Sequence, residues 1–197
     1  MLGRIKEVAE LQIKYAGIGA RKTPQIILEK MEEFAYECAL RGFILRTGNA
    51  EGADLAFLNG ASKVDNKLIE LHLPWTGFRK SEVREGNTVF VTGFDPEARR
   101  IAAEHHPAWD SCSKHARALH GRNTTIIMGA SYDDPVDFMI CWTEDAAVFG
   151  GTGQAIRVCD SLGIPIINMA AKGWDVELEG VIVDNVSNWL KTNKEKP

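Results

Sequence analysis

Apolar and polar positions follow two rhythms along this chain, short apolar runs and longer stretches at helical spacing, and the two take turns from Ile13 onward. "IKYAGI" (Ile13 to Ile18) predicts a first strand. In "PQIILEKMEEFAYECALRG", Ile27, Met31, Phe34, Ala35 and Cys38 recur at helical spacing, with Pro24 suited to the first turn and Gly42 to the stop. "FILRTG" (Phe43 to Gly48) predicts a second strand, "NAEGADLAFLNGASKV" a short helix, and "KLIELHLP" a third strand ending at Pro74. Residues 76–115 are less regular, with turns, one short extended piece and a helical "PEARRIAAEHH". "SKHARALHGRNTTIIMGAS" predicts a longer helix, and "PVDFMICWT" a fourth strand whose unbroken apolar run fits burial on both faces. "GGTGQAIRVCDSLG" is a glycine turn entering a helix, "IPIINMA" a fifth strand, and "VIVDNVSNWLKTN" a closing helix that gives way to a frayed tail at 191–197.

This alternation predicts the α/β class: a doubly wound, mainly parallel, five-stranded Rossmann-like sheet in the order 3-2-1-4-5, with helices on both faces. The expected organisation is a single domain over 1–197, with 76–115 as an insertion or lid. The binding crevice is expected where the strand order reverses, between the first and fourth strands.

Composition narrows the classes. The chain has 197 residues, 45% hydrophobic and 25% charged, enough to bury a core without disulfides or metal. Its four cysteines are scattered without a C-x-x-C pair, which suits core thiols in a reducing compartment. The opening "MLGRIKEVAE" has no apolar leader core and no stretch approaches bilayer length, so a cytoplasmic location with no membrane partner is expected. A formal net charge of -4 makes duplex DNA an unexpected partner.

Three strand ends carry glycine turns: Gly17-Ile18-Gly19-Ala20-Arg21, Gly48-Asn49-Ala50-Glu51-Gly52-Ala53-Asp54, and Gly150-Gly151-Thr152-Gly153-Gln154. In a parallel sheet all three lie on one edge. Glycine lets the backbone approach a ligand, and a following helix N-terminus favours an anion. None of the turns fits G-x-x-x-x-G-K-[ST], and the first lacks the third glycine of a dinucleotide fingerprint. No cofactor is expected. His105, His106, Cys112, His115 and His120 match no structural zinc spacing, so no metal is expected either.

The segments "YAGIGARKTP", "LRTGNAEGADLAFLNGA", "ALHGRNTTIIMG" and "FGGTGQAIRVCDSLGIPIIN", spanning roughly Lys14 to Ala170, resemble the SLOG superfamily of Rossmannoid proteins. That superfamily includes the DNA-processing protein A (Smf) family and the LONELY GUY phosphoribohydrolases, and the chain is most similar to small members of the kind found in phage genomes. The resemblance implies a nucleotide-type ligand at the strand ends. Carried over, it marks Gly17, Gly19 and Arg21 in the first turn, Gly48, Glu51, Gly52 and Asp54 in the second, Gly150, Gly151, Thr152 and Gly153 in the third, and the Arg122-Asn123 pair. The match departs from the LONELY GUY run Pro-Gly-Gly-x-Gly-Thr-x-x-Glu: Gln154 stands in place of the Thr and Arg157 in place of the hydrolytic Glu.

The expected binding set is therefore Gly17, Gly19, Ala20, Arg21, Gly48, Asn49, Gly52, Trp75, Arg122, Asn123, Gly150, Gly151, Thr152, Gly153, Gln154 and Arg157. Arg21 suits a phosphate clamp, Lys22 faces solvent, and Trp75 suits a base. Glu51 and Asp54 are the candidates for acid/base work or ribose hydroxyls, although acids in a first helical turn also answer the helix dipole. Three functions stay open. The first is binding of a phosphorylated nucleoside or ADP-ribose-like small ligand, for sensing or sequestration. The second is N-glycosidic hydrolysis of nucleoside 5'-monophosphates through Glu51 or Asp54. Single-stranded DNA binding comes third because of the acidic balance. A homo-oligomer is expected, since helices flanking such sheets commonly pair.

Overall fold

The computed structural model describes residues 12–182 and 186–194. Its elements run β1 (Lys14–Gly17), α1 (Gln25–Leu40), β2 (Ile44–Thr47), α2 (Ala53–Ser62), β3 (Ile69–Leu73), β4 (Thr88–Val91), α3 (Pro96–Glu104), α4 (Lys114–Met128), β5 (Phe138–Cys141), α5 (Gly150–Leu162), β6 (Ile166–Asn168), α6 (Trp174–Ile182) and α7 (Val186–Lys194). Local chemistry explains several boundaries. The Asp95 carboxylate accepts the amides of Glu97 and Ala98 to open α3, with Pro96 in its first turn. Ser113 does the same for α4 through Ala116, and Gly163, with φ of 64°, closes α5 in the left-handed region.

The strands form one sheet in the order β4-β3-β2-β1-β5-β6, every neighbouring pair parallel. Side chains alternate between its faces. Tyr15, Leu45, Leu71 and Ile140 join Met31, Phe34 and Cys38 of α1 and Phe57 and Leu58 of α2 in the larger core, where Leu178 of α6 and Leu190 of α7 also pack. The Tyr15 ring stacks on Phe138 at 5.5 Å and meets Phe34 and Phe57 edge-on. Ala16, Met139 and Cys141 point the other way, against Ile126 and Ile127 of α4 and Ala155, Ile156 and Cys159 of α5.

That second face also holds buried polar groups. Buried Arg46 bonds Glu70 and Asp134, and buried His72 shares a 3.0 Å hydrogen bond with the Thr125 hydroxyl. Burial, then the charges of Arg46 and Arg122, push the His72 imidazole down to a pKa of about 3, so it is neutral inside the fold.

The α/β parallel architecture and the reversal between the first strand and the "PVDFMICWT" strand are as expected, but the sheet has six strands where five were expected. The extra one, β4, extends the edge beyond β3 and comes from the 76–115 segment expected to be an insertion or lid, which also supplies α3. Only a 3-10 turn at Lys80–Glu82 separates β3 from β4, so no helical period announces the crossover. Val89 and Val91 remain 41% and 51% exposed, so no buried apolar run marks the strand. The closing helix also differs. Residues from Trp174 are already helical, and α7 reaches Lys194, into the expected tail. Residues 195–197 of that tail lie outside the described residues.

Candidate functional site

At the carboxyl ends of β1 and β5, where the strand order reverses, lies a crevice of about 870 Å³. The β1–α1 loop lines it with Ile18 to Lys22, α4 with Leu119, Arg122 and Asn123, and the β5–α5 connection with Trp142 to Asp145, Phe149 and the start of α5. From the second glycine turn only Ala50 and Asp54 reach it.

The β5–α5 connection is the most ligand-ready wall. Thr143 is pinned by the Asn168 amide, which donates to its hydroxyl at 2.7 Å. Asp145 and Ala146 follow with φ of 54° and 56°, a left-handed pair that costs energy for residues bearing a Cβ. The chain then enters α5 at Phe149, whose side chain offers no cap. The first amide of this helix to find a backbone acceptor is that of Gly153, on the Phe149 carbonyl. Among the described residues the N–H groups of Gly150, Gly151 and Thr152 have no such partner, unlike the capped amides of α3 and α4. Gly150 has φ of 65° and open space around it, and the Asn123 amide donates to the Gly151 carbonyl at 2.9 Å, steadying the turn. Beside it the Phe149 ring stands 83% exposed.

The glycines of the first two turns admit close packing inside the protein. Arg122 Nη1 donates to Asp54 Oδ2 at 3.0 Å, both side chains buried, and Asp54 also accepts from the Ala50 amide. The guanidinium passes so close to Gly48 that a Cβ there would fall 0.9 Å from Nη1. At Gly52, with φ of 80°, a Cβ would meet the carbonyls of Ala20 and Arg21 at 2.7 Å, so this glycine lets the two loops touch. Gly17 makes room for Phe57, and Gly19 for Ala53 and the Trp142 backbone.

Of the residues expected to bind, the structure brings Gly19, Ala20, Arg21, Arg122, Asn123, Gly150, Gly151 and Thr152 together in the crevice, with Asp54. Gly17, Gly48, Asn49, Gly52, Trp75, Gly153, Gln154 and Arg157 are not in its lining. Asn49 is buried at φ of 60° and donates to the Arg79 carbonyl. Trp75 sits edge-on to Phe78 and His115. Gly153 abuts the Val148 backbone, Gln154 donates to Thr124 between α5 and α4, and Arg157 donates to the Val148 carbonyl. Glu51 lies outside the lining, paired with Arg79 at 2.6 Å and largely exposed. Lys22, expected to face solvent, lines the crevice although exposed, and so do half-buried Trp142 and exposed Glu144, Asp145 and Phe149. The signal for that last group was the apolar strand breaking directly into "WTEDAAVFGG".

Charge in the crevice is nearly balanced. Arg122 and Asp54 cancel, and Arg21 and Lys22 share the lining with Glu144 and Asp145. The crevice thus presents unpartnered amides, two rim cations and an exposed aromatic ring together. It holds no free carboxylic acid of the pair expected for hydrolysis.

No protein-family model matches the chain. No curated protein matches it either. Among solved structures, DNA processing protein A from Helicobacter pylori matches at 16% identity and a TM-score of 0.50, covering 91% of this chain and 79% of that one. That protein is described as having a single-stranded DNA binding mode. That description departs from the expectation of a small nucleotide-type partner, since the ligand it names for that protein is single-stranded DNA. At this identity the comparison speaks for the fold alone: this chain shares the parallel α/β fold of that Helicobacter pylori protein.

Proposed function

We propose that this chain binds single-stranded DNA across the crevice at the sheet's reversal point. The observation that carries the reading is the pairing of three unpartnered amides at the start of α5 with the exposed Phe149 ring directly before them. A strand presents that combination of partners at repeat distance: an anionic phosphate for the amides and a flat base for the ring. Arg21 and Lys22 stand on the facing loop, where their charge draws the backbone in. The ligand described for the Helicobacter pylori protein supports the reading. Hydrolysis of nucleoside monophosphates loses its support, since Asp54 is locked to Arg122 and Glu51 is paired with Arg79 away from the crevice.

Fluorescence anisotropy of a short labelled deoxythymidine oligonucleotide tests this. The expected result is saturable binding at low salt that weakens about tenfold in Phe149→Ala, in line with a loss of 1–3 kcal/mol per stacked base. Phe149→Ala is expected to unfold at the wild-type temperature because its ring is exposed. An oligonucleotide that fails to bind at low salt, or binds Phe149→Ala and wild type equally, overturns the proposal.

A further inference from the structure

Outside the crevice lining, three side chains that the binding reading does not use converge. His106 follows the end of α3, Cys112 follows the 3-10 turn at Trp109–Ser111, and His120 lies almost two turns into α4. One donor atom from each falls within 4.8 Å of the other two. The Cys112 sulfur is 3.8 Å from His106 Nδ1 and 3.7 Å from its Nε2. The imidazoles of His106 and His120 are 4.4 Å apart between ring centres. Zinc bonds of 2.0–2.1 Å to nitrogen and 2.3 Å to sulfur place tetrahedral N and S ligands roughly 3.5 Å apart, close to the Cys112–His106 separation already present.

A second observation points to a ligand. His120 is only 7% exposed, and its Nδ1 is a buried polar atom with no hydrogen-bond partner. Burying such a nitrogen unpaired is costly unless something occupies it. Cys112 and His106 are only partly buried, which leaves an ion a way in.

We propose that His106, Cys112 and His120 bind one divalent cation of the zinc class, with water completing the tetrahedron. On loading, the Cys112 thiol releases its proton to solvent and its sulfur bonds the metal as thiolate. His120 gives a ring nitrogen, and His106 gives the Nδ1 lone pair that in the metal-free chain accepts the Ala108 amide. That exchange is inexpensive, because the Ala108 bond is exposed and water replaces the acceptor. Two neutral imidazoles and one thiolate suit zinc rather than calcium or magnesium, which take oxygen ligands. The nearby Arg157 charge acts on both rings and opposes the cation, while the thiolate offsets it. The metal would clip the 105–113 connection to α4, the helix that carries Arg122 and Asn123. Spacing hid the site, since His106-x5-Cys112-x7-His120 matches no zinc pattern.

Cobalt(II) titration of the reduced full chain tests the assignment, independently of any DNA binding. The expected result is one equivalent bound, with thiolate-to-cobalt charge-transfer absorption in the near ultraviolet and release by zinc. Cys112→Ser loses that absorption, and Cys112→Ser and His106→Ala each bind at least tenfold more weakly. Neither residue is in the core, so their melting in EDTA matches the wild type and shows intact folding. Zinc raises the wild-type melting temperature with concentration and leaves Cys112→Ser unmoved. A wild-type protein without the charge-transfer band, or one matched in affinity by Cys112→Ser, overturns the assignment.

Discussion

Arg122 donates through Nη1 to Asp54 Oδ2 across 3.0 Å, joining residues 68 positions apart whose side chains are both almost wholly withdrawn from water. This ion pair converts two of the residues most suggestive of ligand chemistry into the brace of the crevice. Removing one partner strands the other charge in the interior. Asp54→Ala is therefore expected to cost about 3–5 kcal/mol, measured by urea unfolding. Asp54→Ala combined with Arg122→Met is expected to cost clearly less than the two single changes summed, because the stranded charge is gone. Additive losses would show that the pair is not coupled.

Gly48 tests the same brace from its other side. A methyl there overlaps the guanidinium, so Gly48→Ala must push Arg122 off Asp54. The expected loss is about 2–4 kcal/mol, the scale of a broken buried pair discounted for side-chain relaxation. In an Arg122→Met background most of that loss should vanish. A Gly48→Ala protein as stable as wild type would contradict the close approach.

Salt dependence distinguishes this crevice from a basic DNA groove. With Arg122 neutralised and acids sharing the lining with Arg21 and Lys22, only one or two phosphates are expected to be held. The slope of log affinity against log salt should then lie at about -0.7 to -1.4, from roughly 0.7 per phosphate for single strands. Lys22→Ala is expected to flatten it further without altering the melting temperature. A slope several times steeper would place binding on another surface.

His72 makes stability depend on acidity. Its imidazole titrates near 3 in the fold, burial being the main cause, and near 6.5 when unfolded. The unfolded chain thus binds the extra proton between those values. The stabilisation is full above about pH 6.5 and is lost as pH falls towards 3, at up to roughly 1.4 kcal/mol per pH unit. Urea unfolding across that range should show this slope, and His72→Leu should remove its share. An unchanged slope in His72→Leu would assign the acid sensitivity elsewhere.

Much of this was legible in the order of residues. Apolar runs such as "PVDFMICWT" and the helical spacing of Ile27, Met31, Phe34 and Cys38 sufficed to place a parallel sheet and its reversal point, because burial on both faces leaves a strong pattern. β4 escaped because an edge strand with exposed valines and a helix-free crossover leaves a weak one. At the site, the position of the crevice and the α5 turn were readable from strand–glycine–helix order. The use of each glycine was not. Gly48 and Gly52 look alike in sequence to Gly150, yet the first two accommodate a distant guanidinium and a neighbouring loop, and only the third faces open space. Arg122 and Asp54 were read as separate ligand contacts because a pair formed between helices so far apart in sequence has no local signature.

Asn123 follows Arg122 on α4, and the two adjacent residues hold different walls: one grips the start of α2 through Asp54, the other the start of α5 through Gly151. The helix thus gears the walls together. Any rotation of α4 alters the breadth of the opening and the tilt of its amide floor as a single variable.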